Sequence, residues 1–354
     1  MTTEPVRIAI DGGTTRVRWI LAGLALVAAV VLVVRLGYRE RHWDTYRRQV
    51  VVRLAWGSGA DQVGRSPSLS GTGDYGPLAF TVGHGRVVIA DTYNDRVLIR
   101  GVDGGPWTTI PAPRSELTAA CYLPGSLGLF VADDRRLTVW RVVGARLEPW
   151  VSLPSGERQT TSTLWRVDCG GDGRLYIEDV AVGRGRFHLG LLASDGRELK
   201  PIAQINGEPA VPEPLGPPLE SFDVGPGGVW YLSQASQGTH AVRIAVEKPL
   251  GTKTATWTIQ IRDAVHTVQL LGLAAGRLFV GVNLGRRGTS GTVVVLNQSG
   301  RVVNRFQVSA AGAMAAHYGA VSPDGVLYLN ESTASDFQIV AVRTTEHTAI
   351  EWRL

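Results

Sequence analysis

The chain has 354 residues, of which 44% are hydrophobic and 19% are charged, a composition that is typical of a folded protein and argues against extensive disorder. The net charge of +5 comes from basic residues scattered along the chain without a long basic run, so nucleic acid is not an expected partner. The two cysteines, Cys121 and Cys169, are too few for a disulfide framework and have no nearby Cys or His at metal-ligand spacing. Whether they form a single bridge is left open by the sequence.

The first predicted element is an apolar segment that follows a short N-terminal tail at residues 1–18. Residues 19–34 read WILAGLALVAAVVLVV and carry no charge. A helix over 19–38 is long enough to span the bilayer core if Arg18 and Arg35 extend toward the headgroups. The segment is longer than the apolar part of a cleaved signal peptide, and no small-residue cleavage site follows it. We therefore expect an uncleaved transmembrane helix at 19–38, with the membrane as a partner.

The side of the membrane on which the remaining chain lies can be argued in two ways. The positive-inside rule counts more arginines after the helix than before it, which places the C-terminal domain in the cytoplasm. A short N-terminal tail followed by one signal-anchor helix generally exports the domain that follows. We expect an extracytoplasmic domain, with the cytoplasm as the alternative. The arginines counted are Arg7, Arg16 and Arg18 before the helix and Arg35, Arg39, Arg41, Arg47 and Arg48 after it.

After a juxtamembrane linker at 39–48, residues 49–354 contain a repeated pattern. An apolar strand, a glycine turn and a second apolar strand recur six times, at intervals of about 40 to 55 residues, a period that is typical of propeller blades. The turn glycines are Gly85, Gly128, Gly173, Gly228, Gly276 and Gly325. The fold class is therefore all-β, a β-propeller of about six blades preceded by a single transmembrane α-helix. The strand-like ends at 49–56 and 347–354 could meet in one blade, which would leave no open edge.

The most specific motif runs from Ile89 to Val97 and reads IADTYNDRV. It resembles the signature of NHL repeats, in which Asp91, Thr92, Asn94 and Arg96 occupy the characteristic positions. The resemblance implies a propeller with a central channel and loops on two faces, on which NHL-type proteins bind proteins, RNA or small ligands. The same four residues also suit a structural role, since Asp91, Thr92 and Asn94 form turns that hydrogen-bond their own backbone, and Arg96 begins the next strand where its charged head can stay solvated.

Related six-bladed propellers include lactonase-like and lyase-like enzymes that hold calcium or another metal in the channel with acidic and amide side chains. The innermost strands predicted here offer only Asp168 and Asp223 as inward acids, and both could instead cap turns. No paired metal-ligand motif, nucleophile elbow or phosphate-binding loop is present in the sequence. The sequence therefore predicts no cofactor and favours a non-enzymatic protein.

Two functions follow from these observations. The preferred one is a membrane-tethered binding or scaffolding module whose propeller faces bind a protein, peptide or glycan partner. The alternative is a metal-dependent hydrolase or lyase with its site in the central channel.

Overall fold

The structure is a computed structural model, and it describes Val27 together with most of the chain from residue 38 onward. The described ranges are 38–65, 76–123, 128–152, 162–181, 186–193, 199–201, 219–234, 239–248, 252–284, 290–308 and 319–352. Within them no helix is long and apolar enough to cross a membrane. The predicted membrane segment at 19–38 lies outside the described residues except for Val27 and Tyr38.

The chain divides into two compact units, one made of Met1–Thr45 with Thr345–Leu354 and the other of Tyr46–Thr344. In the first unit the structure describes Val27, residues 38–45 of β1 and residues 345–352 of β25. The second unit holds the rest of these two strands and the other described strands. In chain order the strands are β1 Tyr38–Trp56, β2 Gln62–Val63, β3 Ala79–Gly83, β4 Arg86–Asp91, β5 Arg96–Gly101, β6 Gly104–Pro111, β7 Leu117–Tyr122, β8 Leu129–Asp133, β9 Thr138–Val143, β10 Arg146–Ser152, β11 Ser162–Cys169, β12 Leu175–Ala181, β13 Arg186–Ala193, β14 Leu199–Pro201, β15 Leu219–Val224, β16 Trp230–Gln234, β17 Ala241–Lys248, β18 Thr252–Gln260, β19 Val265–Ala274, β20 Arg277–Leu284, β21 Ser290–Asn297, β22 Val302–Val308, β23 Gly319–Val321, β24 Leu327–Asn330 and β25 Asp336–Trp352.

Five sheets have four strands each, and in every one the strands are antiparallel and follow one another in sequence order. These sheets are β3–β6, β7–β10, β11–β14, β15–β18 and β19–β22. A four-stranded antiparallel sheet built from one contiguous stretch of chain is the blade of a β-propeller. Each of the first five repeats found in the sequence therefore corresponds to one blade, and the prediction of an all-β propeller is confirmed.

The remaining sheet differs from these blades, so the described residues form five four-stranded blades where about six were predicted. It has five strands in the order β2-β1-β25-β24-β23, and β1 pairs with β2 in parallel. The first and last described strands meet in this sheet, although β25 begins at Asp336 and not at His347, where the predicted closing strand begins. Strand β1 begins at Tyr38 rather than at Gln49, so the region predicted as a linker at 39–48 is part of a strand.

Strand β4 explains why the propeller needs continuous apolar runs. Val87 and Ile89 lie in the hydrophobic cluster shared with the five-stranded sheet, whereas Val88 and Ala90 lie in the cluster shared with the β7–β10 blade. All four side chains are fully buried. Successive residues of a strand point to opposite faces, so a strand between two neighbours must be apolar at every position. Burial of each Val or Ile contributes about 1.5–3 kcal/mol.

The repeated glycines occupy the turn between the first and second strands of each four-stranded blade, and the turn between β23 and β24 in the five-stranded sheet, as their spacing predicted. All of them except Gly128 have left-handed backbone angles, for example a φ of +68° at Gly85 and +81° at Gly325. A residue with a Cβ is disfavoured in this region, which explains why glycine recurs at that place.

Candidate functional site

The first strands of the five blades and strand β23 of the five-stranded sheet surround one central cavity of about 850 Å³. Strand β3 contacts β7, β7 contacts β11, β15 contacts β19, β19 contacts β23, and β23 contacts β3. The step from β11 to β15 is bridged by a hydrogen bond of 2.6 Å from Gly171 N to Val224 O. The turns that follow these strands also line the cavity. Gly, Ala, Val and Leu residues therefore make up most of its wall, together with a few polar and aromatic residues.

Asp168 and Asp223, the two acids predicted from the innermost strands, both line this cavity. They occupy equivalent positions in neighbouring blades, since Asp168 pairs with Tyr176 and Asp223 pairs with Tyr231. The Asp223 Oδ1 atom accepts a hydrogen bond of 2.7 Å from Val224 N. Within the part of the chain that the structure describes, no group of three or more His, Cys, Asp or Glu residues is placed to hold a metal ion.

Two further carboxylates and one guanidinium in the cavity lining were not anticipated from the sequence. Asp103 lies in the turn between β5 and β6, Asp324 lies in the turn between β23 and β24, and Arg343 comes from β25. The acids predicted from the sequence all lie on the innermost strands, so these turn and outer-strand residues were not among them. A signal was available in two pairs, Asp103-Gly104 and Asp324-Gly325, each of which marks a turn, although the two turns lie at different places in their repeats.

Tyrosines near these acids report the local electrostatics. Burial raises the pKa of Tyr328 above its ordinary value, and the nearby Asp324 carboxylate raises it further, while Arg343 acts in the opposite direction. Burial also raises the pKa of Tyr231, with a second contribution from Asp223. An ionised phenol is disfavoured beside a carboxylate because like charges repel. These tyrosines are therefore neutral phenols over the physiological pH range.

Both cysteines of the chain lie in the cavity wall and are joined by a disulfide. Cys121 is in β7 and Cys169 ends β11, with a Cα–Cα distance of 5.6 Å. The bond crosses from one blade to the next, a pairing that the sequence had left open. Asp168 directly precedes Cys169 and lines the same cavity.

The residues of the NHL-like motif lie elsewhere and hold the chain that leaves β1. The Asp91 carboxylate is fully buried and accepts hydrogen bonds from Gly64 N at 2.8 Å, Asn94 Nδ2 at 2.9 Å and Arg96 Nε at 2.7 Å. We call this group the Asp91 cluster. Two side chains of the cluster also donate hydrogen bonds to the backbone of residues 57–62. Asn94 donates to Gly57 O, and Arg96 donates to Gly59 O and Gln62 O. The cluster therefore ties the N-terminal strand to the first blade.

Thr92, the remaining residue of the motif, connects the first blade to the second. Its hydroxyl donates a hydrogen bond of 2.6 Å to Leu117 O, at the start of β7. The four motif residues are thus structural contacts between consecutive segments, and none of them is part of the described lining of the central cavity.

Other repeats have a related residue at the end of their second strand. Asp133 is fully buried and accepts a hydrogen bond of 2.9 Å from Glu116 N in the preceding connection, just as Asp91 accepts one from Gly64 N. Asn330 ends β24 and accepts hydrogen bonds from Ser332 N and Ser332 Oγ. The sequence contains a signal for Asn330, because it follows the turn glycine Gly325 by the same number of residues as Asp133 follows Gly128.

The five four-stranded blades and the cavity at their innermost strands define the class of this protein as a β-propeller. Comparison with solved structures finds similar folds at low sequence identity. A member of the DUF4221 family from Bacteroides vulgatus is 9% identical with a TM-score of 0.53, and the match covers 86% of this chain and 99% of the other.

Two enzymes are also among the similar structures. Virginiamycin B lyase from Staphylococcus aureus is 12% identical with a TM-score of 0.44, covering 86% of this chain and 88% of its own. An aldose sugar dehydrogenase from Streptomyces coelicolor, in its PQQ-bound form, is 12% identical with a TM-score of 0.47, covering 85% and 99%. At these identities the likeness concerns the fold alone. No family model matches the sequence, and no curated protein matches it.

Proposed function

We propose that the protein is a membrane-tethered binding module whose central cavity receives a basic side chain of a protein or peptide partner. The observation that carries this proposal is the charge of the cavity lining. Asp103, Asp168, Asp223 and Asp324 line it, against the guanidinium of Arg343. The whole chain carries a net charge of +5, so the cavity has the opposite sign to the rest of the protein.

The concave shape of the cavity strengthens the attraction between its carboxylates and a cation. Walls of low dielectric constant focus the field of the lining charges and raise the local concentration of ligands with the opposite charge. A volume of about 850 Å³ lies within the range of roughly 300–1,000 Å³ that small ligands occupy. Tyr122 and Tyr328 also line the cavity, and aromatic faces attract organic cations. The side chains of lysine and arginine end in organic cations of this kind.

Titration with arginine amide, followed by calorimetry on the full-length protein, tests the proposal. Citrulline amide is the matched control because it has nearly the same shape without the charge. We expect arginine amide to bind at least tenfold more tightly, and the preference to weaken with added salt. Equal binding of the two compounds, or no binding of either, would contradict the proposal.

The Asp168→Asn and Asp223→Asn substitutions identify the site. Each removes a carboxylate from the cavity and should lower the affinity for arginine amide by about tenfold, which corresponds to roughly 1.4 kcal/mol. Asp263→Asn is the control, since Asp263 is exposed and is not part of the cavity lining. An equal loss in all three variants would indicate a general charge effect instead of a site.

The metal-dependent hydrolase or lyase is the second candidate, for which Asp168 and Asp223 lie in one cavity, although no third His, Cys, Asp or Glu of the described residues joins them to hold a metal ion. Calcium titration of the same variants tests it. Saturable calcium binding that is lost in both Asp→Asn variants would support this function over the first.

The tether and the blade count belong to the same proposal. The hydrophobic length of residues 19–38 supports a membrane anchor, and deletion of that segment should release the protein from the membrane fraction.

We also propose that the five-stranded sheet acts as a sixth blade, because β23 lines the central cavity together with the first strands of the five blades. A distant relation to NHL-repeat proteins rests on the motif around Asp91.

A further inference from the structure

The disulfide joins the inner strands of two neighbouring blades at the wall of the central cavity. Cys121 pairs with Phe130 within its own blade, and Cys169 pairs with Leu175 in the next. All four residues contribute to one apolar cluster between these blades. Cys121 is only 8% exposed. The bond is thus embedded in the packing between the blades and is not placed on an exposed loop.

Other contacts between neighbouring inner strands use weaker bonds. Gly171 N donates to Val224 O across the next boundary, and Leu270 N donates to Ser221 Oγ across the one after it. The boundary between β7 and β11 is held covalently. Since Asp168 directly precedes Cys169, the disulfide also fixes the end of the strand that carries this cavity acid.

We propose that the Cys121–Cys169 bond is a permanent brace of the cavity wall and that the propeller therefore works in an oxidising compartment. Its formation removes two protons and two electrons from the two thiols and transfers them to a disulfide oxidant, which becomes a dithiol. Such bonds persist where disulfide oxidants are maintained and are rare in the reducing cytosol. The inference extends the proposed function by assigning the cavity to the non-cytoplasmic side of the membrane.

The redox state of the protein in living cells tests the compartment. Cells that produce the full chain are treated with membrane-permeant N-ethylmaleimide, which blocks free thiols. The protein is then reduced, and the newly released thiols are labelled with maleimide-polyethylene glycol, which slows migration in gels. We expect two labels on the wild-type chain and none on a Cys121→Ser, Cys169→Ser variant. An unlabelled wild-type chain, with both thiols blocked in the cell, would overturn the inference.

Hydrogen exchange tests the role of the bond as a brace. In the Cys121→Ser, Cys169→Ser variant, the amide of Gly171 should exchange roughly tenfold faster or more, because the end of β11 is released from β7. The amide of Val87, in the inner part of the first blade, is the control and should be unaffected. Unchanged exchange at Gly171 would refute the brace. Neither measurement requires a ligand, so failure of arginine amide to bind would leave both results interpretable.

Discussion

Replacement of Asp91 by alanine should destabilise the propeller by about 3–5 kcal/mol, the cost of leaving a buried charge without its partner. The substitution removes three hydrogen-bond acceptor contacts, to Gly64 N, Asn94 Nδ2 and Arg96 Nε. The Arg96 side chain is only 11% exposed, so water cannot fully replace the lost carboxylate. Urea unfolding of the full-length protein, followed by tryptophan fluorescence, measures the change.

Asp133→Ala is the matched control in the second blade. Asp133 is equally buried, but its cationic partner Arg136 lies 3.9 Å away and is 40% exposed. An exposed guanidinium stays hydrated when its partner is removed, so the expected cost is smaller, about 1–2 kcal/mol.

A double-mutant cycle makes the test sharper. In the Asp91→Ala, Arg96→Ala variant the unpaired guanidinium is absent, so the two single losses should not add, and a coupling of about 1–3 kcal/mol is expected. The reasoning would be refuted if Asp91→Ala cost no more than Asp133→Ala, or if the two substitutions were additive.

Two further predictions concern the packing between blades and the cavity tyrosines. Gly171→Ala should cost about 1–3 kcal/mol, because a Cβ there would lie 2.8 Å from the backbone nitrogen of Pro226 in the next blade. Gly291→Ala, where a Cβ would meet no atom closer than 3.5 Å, should cost less in the same urea assay. The raised pKa of Tyr328, caused first by burial and then by Asp324, gives a stability contribution that is complete below the ordinary tyrosine pKa of about 10. This contribution is lost as the pH rises from about 10 through the tyrosine pKa of the folded state. Tyr328→Phe should therefore reduce the loss of stability above about pH 10. Identical dependence of the unfolding free energy on pH in the variant and the wild type would contradict this cause.

The blades could be predicted from the sequence because their signals are local. A strand packed on both faces must be apolar throughout, and its turn needs a left-handed residue, so runs such as Val87–Ile89 near Gly85 identify strands and turns together. The polar start of β1 gave no such signal. Its residues from Tyr38 to Arg48 are rich in charge, and their strand conformation depends on pairing with β25, far away in the sequence.

The cavity could be predicted only in part. Asp168 and Asp223 lie on the innermost strands, where the repeat pattern alone places them at the centre. Arg343 reaches the cavity from a later strand, and the Cys121–Cys169 bond depends on the spacing of two neighbouring blades. These features are set by packing between sheets, which no local pattern encodes.

The pairing of the first strand with the last also determines when the cavity can form. During synthesis β1 is made early, whereas its neighbour β25 becomes available only after all five four-stranded blades have been completed. Contacts over such a separation in the sequence form slowly, because the loop between the strands must first be closed. The strand β23 that completes the cavity wall belongs to this same last sheet. A chain that stops before β25 therefore has five blades and a first strand that is paired only with the short β2, and the last sheet would be completed only in the final step of folding.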